Sequence, residues 1–150
     1  MTKPTAIIFD VDGTLADVRD IHHHVPSEPR DFYAFHAHSV DVPPHPHVVT
    51  ATHEAVAAGH AVMIVTARSA RWRNHTAIWL ALNDIPSTAM FMRANDDHRP
   101  DVQVKFDILT SIRAHHDVIG AWDDNPAIVE LWRANGIPVT VVPGWQGIAS

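Results

Sequence analysis

Cysteine is absent from this chain of 150 residues. That excludes a disulfide framework, a cysteine-ligated zinc site, an iron–sulfur cluster and a thiol nucleophile. Long apolar runs are missing too: nothing approaches the ~18 residues of a membrane span, and MTKPTAIIFD enters a strand-like segment directly. The expectation is a cytoplasmic protein with no signal peptide and no membrane contact. Basic residues are scarce. Lys and Arg total 11 against 17 Asp and Glu, a net charge of −6 with His neutral. That argues against a long cation-lined groove for duplex nucleic acid, while leaving room for a small basic pocket. There is no internal repeat and no Gly/Ser linker. A chain of this length buries about two-thirds of its unfolded surface, and 46% apolar with 19% charged residues suits a folded domain. One domain over residues 1–150 is expected. What is abundant is histidine: 13 residues, nine of them between His22 and His60.

Short apolar runs alternate with segments of helical spacing. AIIF (Ala6–Phe9), AVMIV (Ala61–Val65), TAMFM (Thr88–Met92), DVIGAW (Asp117–Trp122) and PVTVV (Pro138–Val142) read as strands buried on both faces, as in a parallel sheet. Between them, Val48, Thr52 and Val56 mark one helix, and Trp72, Thr76, Trp79 and Leu80 a second. Val104, Ile108, Leu109 and Ile112 mark a third, and Ile128, Leu131 and Trp132 a fourth. The fourth has Asn125 as N-cap, Pro126 at its first position and Gly136 just past its end. This alternation predicts an α/β domain with right-handed crossovers. Segment 17–47 breaks it. With five of the 11 prolines and one short helical candidate, Asp31–Ser39, it reads as a flap over the strand ends.

In open parallel sheets, sites form outside the carboxyl ends of the strands. There the sequence places Asp10-Val11-Asp12-Gly13-Thr14, Thr66-Ala67-Arg68 and Asp123-Asp124, with Lys105 near the start of the third helix. Carboxylates converging in a low-dielectric place repel unless a cation joins them. Oxygen donors favour a hard ion, and Mg²⁺ fits a site of one or two carboxylates plus phosphate. Lys105, Arg68 and the Thr66 hydroxyl supply groups that hold phosphate. One carboxylate can then attack phosphorus, and a second, two residues on and turned by Gly13, can serve as acid and base.

DVDGTL at Asp10–Leu15, IVTAR at Ile64–Arg68, VK at Val104–Lys105 and WDDN at Trp122–Asn125 resemble, in order, the four motifs of haloacid dehalogenase (HAD) superfamily phosphatases. RxxxxxRPDxxVK (Arg93–Lys105) and DDNPAIVELWRANGIPVTVV (Asp123–Val142) are similar to the 3′-phosphatase domain of phage polynucleotide kinases. The likeness runs from about Ala6 to Trp145. It implies a Rossmann-like three-layer sandwich around about five parallel strands, with a short flap instead of a large cap domain. It further implies Asp10 as nucleophile and metal ligand, and Asp12 as general acid/base with its main-chain carbonyl on Mg²⁺. Thr66 and Lys105 would hold the phosphoryl group. Asp124 would be the second metal carboxylate and Asp123 its support. Arg68, Arg93 and Arg99 would contact substrate, and Asp101, four residues before Lys105, would orient its ammonium. The implied activity is Mg²⁺-dependent removal of a 3′-phosphate from nucleic-acid ends or nucleotides, in nucleic-acid repair, through an aspartyl-phosphate.

Other readings stand beside these. Arg93 and Arg99 suit surface charges, Asp101 a first-turn acid, Thr66 a helix cap, and Asp123–Asp124 a helix start. A mononucleotide or small-molecule phosphatase fits the acidic balance. A non-catalytic module with a His-rich metal-binding flap is a third reading. Three adjacent residues, His22–His24, cannot all face one way, so a solvated loop is the simpler account of them. Trp72, Trp79, Trp122 and Trp132 read as core, and Phe32, Tyr33 and Phe35 as the flap aromatics available for base stacking. No GxxxxGK[ST] phosphate loop occurs, Asn125 stands where related phosphatases often carry Arg, and Arg19 is the nearest match to their flap cation. Nothing in the sequence points to an obligate protein partner.

Overall fold

The computed structural model describes residues 2–18 and 42–143. Strands β1 (Thr5–Phe9), β2 (Ala61–Ser69), β3 (Ala89–Arg93), β4 (Asp117–Asp123) and β5 (Val139–Val141) form one sheet in the order β3-β2-β1-β4-β5. Every neighbouring pair is parallel. The connections carry helices α1 (Pro46–Ala57), α2 (Arg73–Leu82), α3 (Asp101–Arg113) and α4 (Pro126–Ala134), with a 3₁₀ turn at Ala70–Trp72 before α2.

The chain steps from β1 outward to β3, then returns to the other side of β1 for β4 and β5. The two pairs of helices therefore cover opposite faces. Val48, Ala55, Trp79 and Leu80 of α1 and α2 pack with Phe9, Val62 and Ile64 on one face. Val104, Ile108, Leu109, Ile112, Ile128 and Trp132 of α3 and α4 pack with Ile8, Met63 and Val65 on the other. The strand runs are apolar without alternation because each face of the sheet meets helices. The expected three-layer α/β sandwich with five parallel strands is what forms. Trp79 and Trp132 are fully buried, one per core, and Trp122 is half-buried in a stack with Phe9 at 6.0 Å between centroids. Trp72 is half-buried beside His75.

Local signals explain the ends. The Asn125 side chain accepts from the Ala127 N–H at 3.0 Å and starts α4. Gly136, with φ 76, follows its last turn. β2 runs four residues past its apolar stretch, because Ser69 pairs with Arg93 of β3. The strand itself thus carries Thr66 and Arg68 to the rim.

Of segment 17–47, expected as a flap, residues 17–18 and 42–47 are described. Ala16 bridges Pro44, Asp17 N–H donates to the Pro43 carbonyl at 2.8 Å, and His45 N–H to that of Leu15 at 2.8 Å. The helix expected at Asp31–Ser39, the aromatics Phe32, Tyr33 and Phe35, Arg19, His22–His24, His36 and His38 lie outside the described residues. Among the described residues no helix is long and apolar enough to cross a membrane.

Candidate active site

β1 lies between β2 and β4, and all three end on the same rim. This is the point where strand order reverses, and the crevice there is where α/β sheets bind ligands. After Phe9 the chain folds back on itself. Thr14 N–H and Ala16 N–H both donate to the Val11 carbonyl, at 3.2 and 2.8 Å, and Gly13 N–H to that of Ala16 at 2.9 Å. Gly13 sits at φ 86, and a Cβ there would collide with the Asp124 carboxylate. Only glycine lets the turn close against that acid.

Asp10, Asp123 and Asp124 are buried, and each offers an oxygen within 4.8 Å of the others. Lys105, 3% exposed on α3, is placed between two of them: its Nζ donates to Asp10 Oδ1 at 2.9 Å and to Asp123 Oδ2 at 3.2 Å. The Thr14 hydroxyl proton is shared between Asp10 Oδ2 at 3.3 Å and Asp124 Oδ1 at 3.2 Å. Asp123 Oδ1 accepts the Asn125 N–H at 3.0 Å, so both its oxygens are engaged.

Three acids against one ammonium leave excess negative charge. Burial pushes the Asp10 carboxyl well above the carboxylate range, Asp123 adds to the rise, and Lys105 opposes it. Burial, with Asp123 adding, pushes Asp124 up to about 7. Burial works against the Lys105 charge, yet Asp10 and Asp123 outweigh it and hold the ammonium above its ordinary value. The donor set fits a hard divalent cation. It is all oxygen, it is compact, and burial together with the neighbouring Asp123 carboxylate raises two of its acids, a rise that added positive charge would oppose.

Asp12 lies apart from this cluster. Arg68 grips it with two bonds, Nε to Oδ2 at 2.8 Å and Nη2 to Oδ1 at 2.6 Å. The Arg68 side chain is 1% exposed and that of Asp12 26%. The third nitrogen, Nη1, donates to the Thr76 hydroxyl on α2 at 3.0 Å. Thr66, also buried, accepts the Arg68 N–H on its Oγ1 at 3.1 Å.

The remaining cations are arranged differently from the sequence expectation. Arg93 is 5% exposed, and its guanidinium donates to the carbonyls of Ala67, Asp97 and Arg99 and to Asp101 Oδ1. It ties the end of β3 to the loop before α3. Asp101 holds Arg93, and the Lys105 ammonium takes its carboxylate partners from Asp10 and Asp123. The helical i,i+4 rule was outcompeted by a cation arriving from a strand. Arg99 is half-exposed and paired with Asp97 and Asp107 at 2.8 and 2.7 Å. That pairing holds the Asp97 carboxyl well below the usual range. Sequence reasoning missed Thr14 and Thr76. Thr14 stood inside the DVDGTL motif; Thr76 gave only the faint signal of a hydroxyl on an apolar helix face.

Residues 4–144 match the family described as the polynucleotide kinase PNKP phosphatase domain. The "Putative bifunctional polynucleotide kinase/RNA ligase" of Autographa californica nuclear polyhedrosis virus is 29% identical over 143 residues, which cover 90% of this chain and 19% of the viral protein. A chain of the Pnkp1/Rnl/Hen1 complex has a TM-score of 0.79 at 24% identity, over 95% of this chain and 47% of that one. The tungstate-bound class C acid phosphatase from Bacillus anthracis has a TM-score of 0.68 at 13% identity, over 97% and 69%. This chain thus spans less than half of the polynucleotide kinase relatives. Since the family match runs over nearly every described residue and the four motifs meet at one rim, the chain belongs to the PNKP phosphatase-domain family of HAD-type phosphatases.

Proposed function

We propose that this domain hydrolyses phosphate monoesters through an aspartyl-phosphate on Asp10, with Mg²⁺, and that its substrate is a 3′-phosphate on a nucleic-acid end or nucleotide. The observation that carries the reading is the Asp10 carboxylate, buried at the rim with one oxygen on Lys105 and with Asp124 beside it. Asp10 and Asp124 would hold the cation, with the Asp12 main-chain carbonyl as the resemblance implies. When bound, Mg²⁺ supplies positive charge that keeps both acids ionised and offsets charge on the phosphoryl oxygens.

The residues then divide the work. An Asp10 oxygen attacks phosphorus, the bond from phosphorus to the ester oxygen breaks, and that oxygen takes a proton from Asp12. Water next attacks the phosphorus of the aspartyl-phosphate and gives its proton to Asp12. The bond to Asp10 breaks, and inorganic phosphate leaves. Lys105 neutralises the phosphoryl oxygens throughout. Thr66 would hold the same group, while the Arg68 fork stays on Asp12.

Support for a nucleic-acid end comes from the family and from its relatives, one described as a polynucleotide kinase/RNA ligase and another solved in an RNA repair complex with Rnl and Hen1. The electrostatics narrow the footprint. Arg68, Arg93, Arg99 and Lys105 are all matched by carboxylates, so the rim suits a terminal phosphate better than a long backbone. A protein partner for this chain and a cytoplasmic location belong to the same reading. The test is a panel of 3′- and 5′-phosphorylated DNA and RNA oligonucleotides with the matching mononucleotides, assayed with Mg²⁺. Phosphate release from 3′-ends, lost in Asp10→Asn, is expected. Turnover of mononucleotides alone would favour the small-molecule reading, which the net charge of −6 already supports.

A further inference from the structure

We propose that Thr76 is a positioning residue for the Asp12 carboxyl, acting through Arg68. The inference rests on the phosphatase reading above. Thr76 has 0% exposure on the face of α2 that also buries Trp79 and Leu80. A hydroxyl costs free energy in such a place unless it is partnered. Its partner is the Nη1 of Arg68, at 3.0 Å, in a side chain itself 1% exposed. Two contacts to one carboxylate leave a guanidinium free to rock about its long axis. A third contact from another direction fixes its plane, since the fork is rigid. The Asp12 carboxyl is clamped by the other two nitrogens and inherits that plane. Asp12 is the most exposed member of the trio, at 26%, on a turn at the rim. Its aim toward the leaving oxygen is therefore set by a helix residue 64 positions further along the chain.

The chemistry offers a readout that a merely structural residue would not move. The kcat/KM value reports steps through phosphoryl transfer to Asp10. In that step a sugar hydroxyl needs the Asp12 proton, whereas p-nitrophenolate leaves without one. Thr76→Val keeps the shape and removes the acceptor. It is expected to lower kcat/KM for thymidine 3′-phosphate about tenfold, a fraction of the ~100-fold or more carried by a general acid. Values for p-nitrophenyl phosphate should stay within about twofold of wild type, and Thr76→Ser should restore the nucleotide reaction. Equal losses on both substrates, or no loss on either, would overturn the proposal. A wild-type protein inactive on both substrates would instead sink the phosphatase reading. A crystal structure of Thr76→Val decides the geometry independently: Arg68 turned away from its two-bond grip on Asp12 is expected, and an unchanged grip refutes the positioning role.

Discussion

Lys105 is the only cation among the described residues that touches the buried acids at the end of β1 and β4. Replacing it with methionine keeps the volume and leaves Asp10 and Asp123 facing each other without compensation. Removing one partner of a buried pair costs about 3 kcal/mol or more. The loss should be largest near pH 8 and smaller near pH 5, because Asp10, already raised by burial, takes up a proton more readily once the ammonium that opposes the rise is gone. Urea unfolding of Lys105→Met at the two pH values checks this. Equal stability to wild type at pH 8 would mean that the ammonium does not bridge the acids. Gly13 makes a separate case. Its φ of 86 strains any L-residue, and the added methyl of Gly13→Ala falls on the Asp124 carboxylate. This variant should fold with reduced stability and bind Mg²⁺ at least about tenfold more weakly, since ligand geometry is displaced directly. Titration calorimetry with Mg²⁺ gives the answer; unaltered affinity would show that Asp124 is not a ligand.

At the scale of elements, Arg93 decides how α3 meets the sheet. Its guanidinium joins the Ala67 carbonyl after the apolar part of β2, two carbonyls of the loop before α3, and the first residue of α3. Arg93→Met should cost about 3 kcal/mol by leaving buried carbonyls unmatched and taking the guanidinium away from Asp101. It should also lower kcat more than it raises KM, because Lys105 rides on the displaced helix. A pure rise in KM would return Arg93 to the substrate. This residue also shows where sequence reading stops. The strands and helices were legible because their apolar runs and spacings are local, and Asn125, Pro126 and Gly136 marked the limits of α4 from within a few residues. The motifs placed Asp10, Lys105, Asp123 and Asp124 together because a parallel sheet brings strand ends to one rim. Partnerships among long cationic side chains were not legible. Arg93 reaches Asp101 across eight positions and Arg68 reaches Asp12 across 56, and each choice depends on which carboxylate lies within reach after folding. The extension of β2 through Ser69 was hidden for the same reason, since its pairing with Arg93 comes from another strand.

For the molecule as a whole, the acid cluster trades stability for function. Asp124 titrates near 7 in the fold and Asp10 is also raised, against about 3.9 for an unfolded aspartate. Between those limits the folded, metal-free protein holds protons that the unfolded chain has released. Stability from Asp124 therefore falls as pH rises from about 4 through about 7, and Asp10, also raised by its burial, acts in the same direction. The difference between wild type and Asp124→Asn isolates the cluster, because asparagine imitates the protonated acid at every pH. In EDTA the two proteins should melt together near pH 4, and the variant should melt higher near pH 8. Mg²⁺ should reverse that order at pH 8 by binding the ionised cluster of the wild type, and should do little near pH 5, where protons occupy it. Parallel melting curves across the whole range, with Mg²⁺ raising both proteins equally, would show that Asp124 is neither a strained acid nor a ligand. The fold would then have gathered its carboxylates for a reason other than the cation.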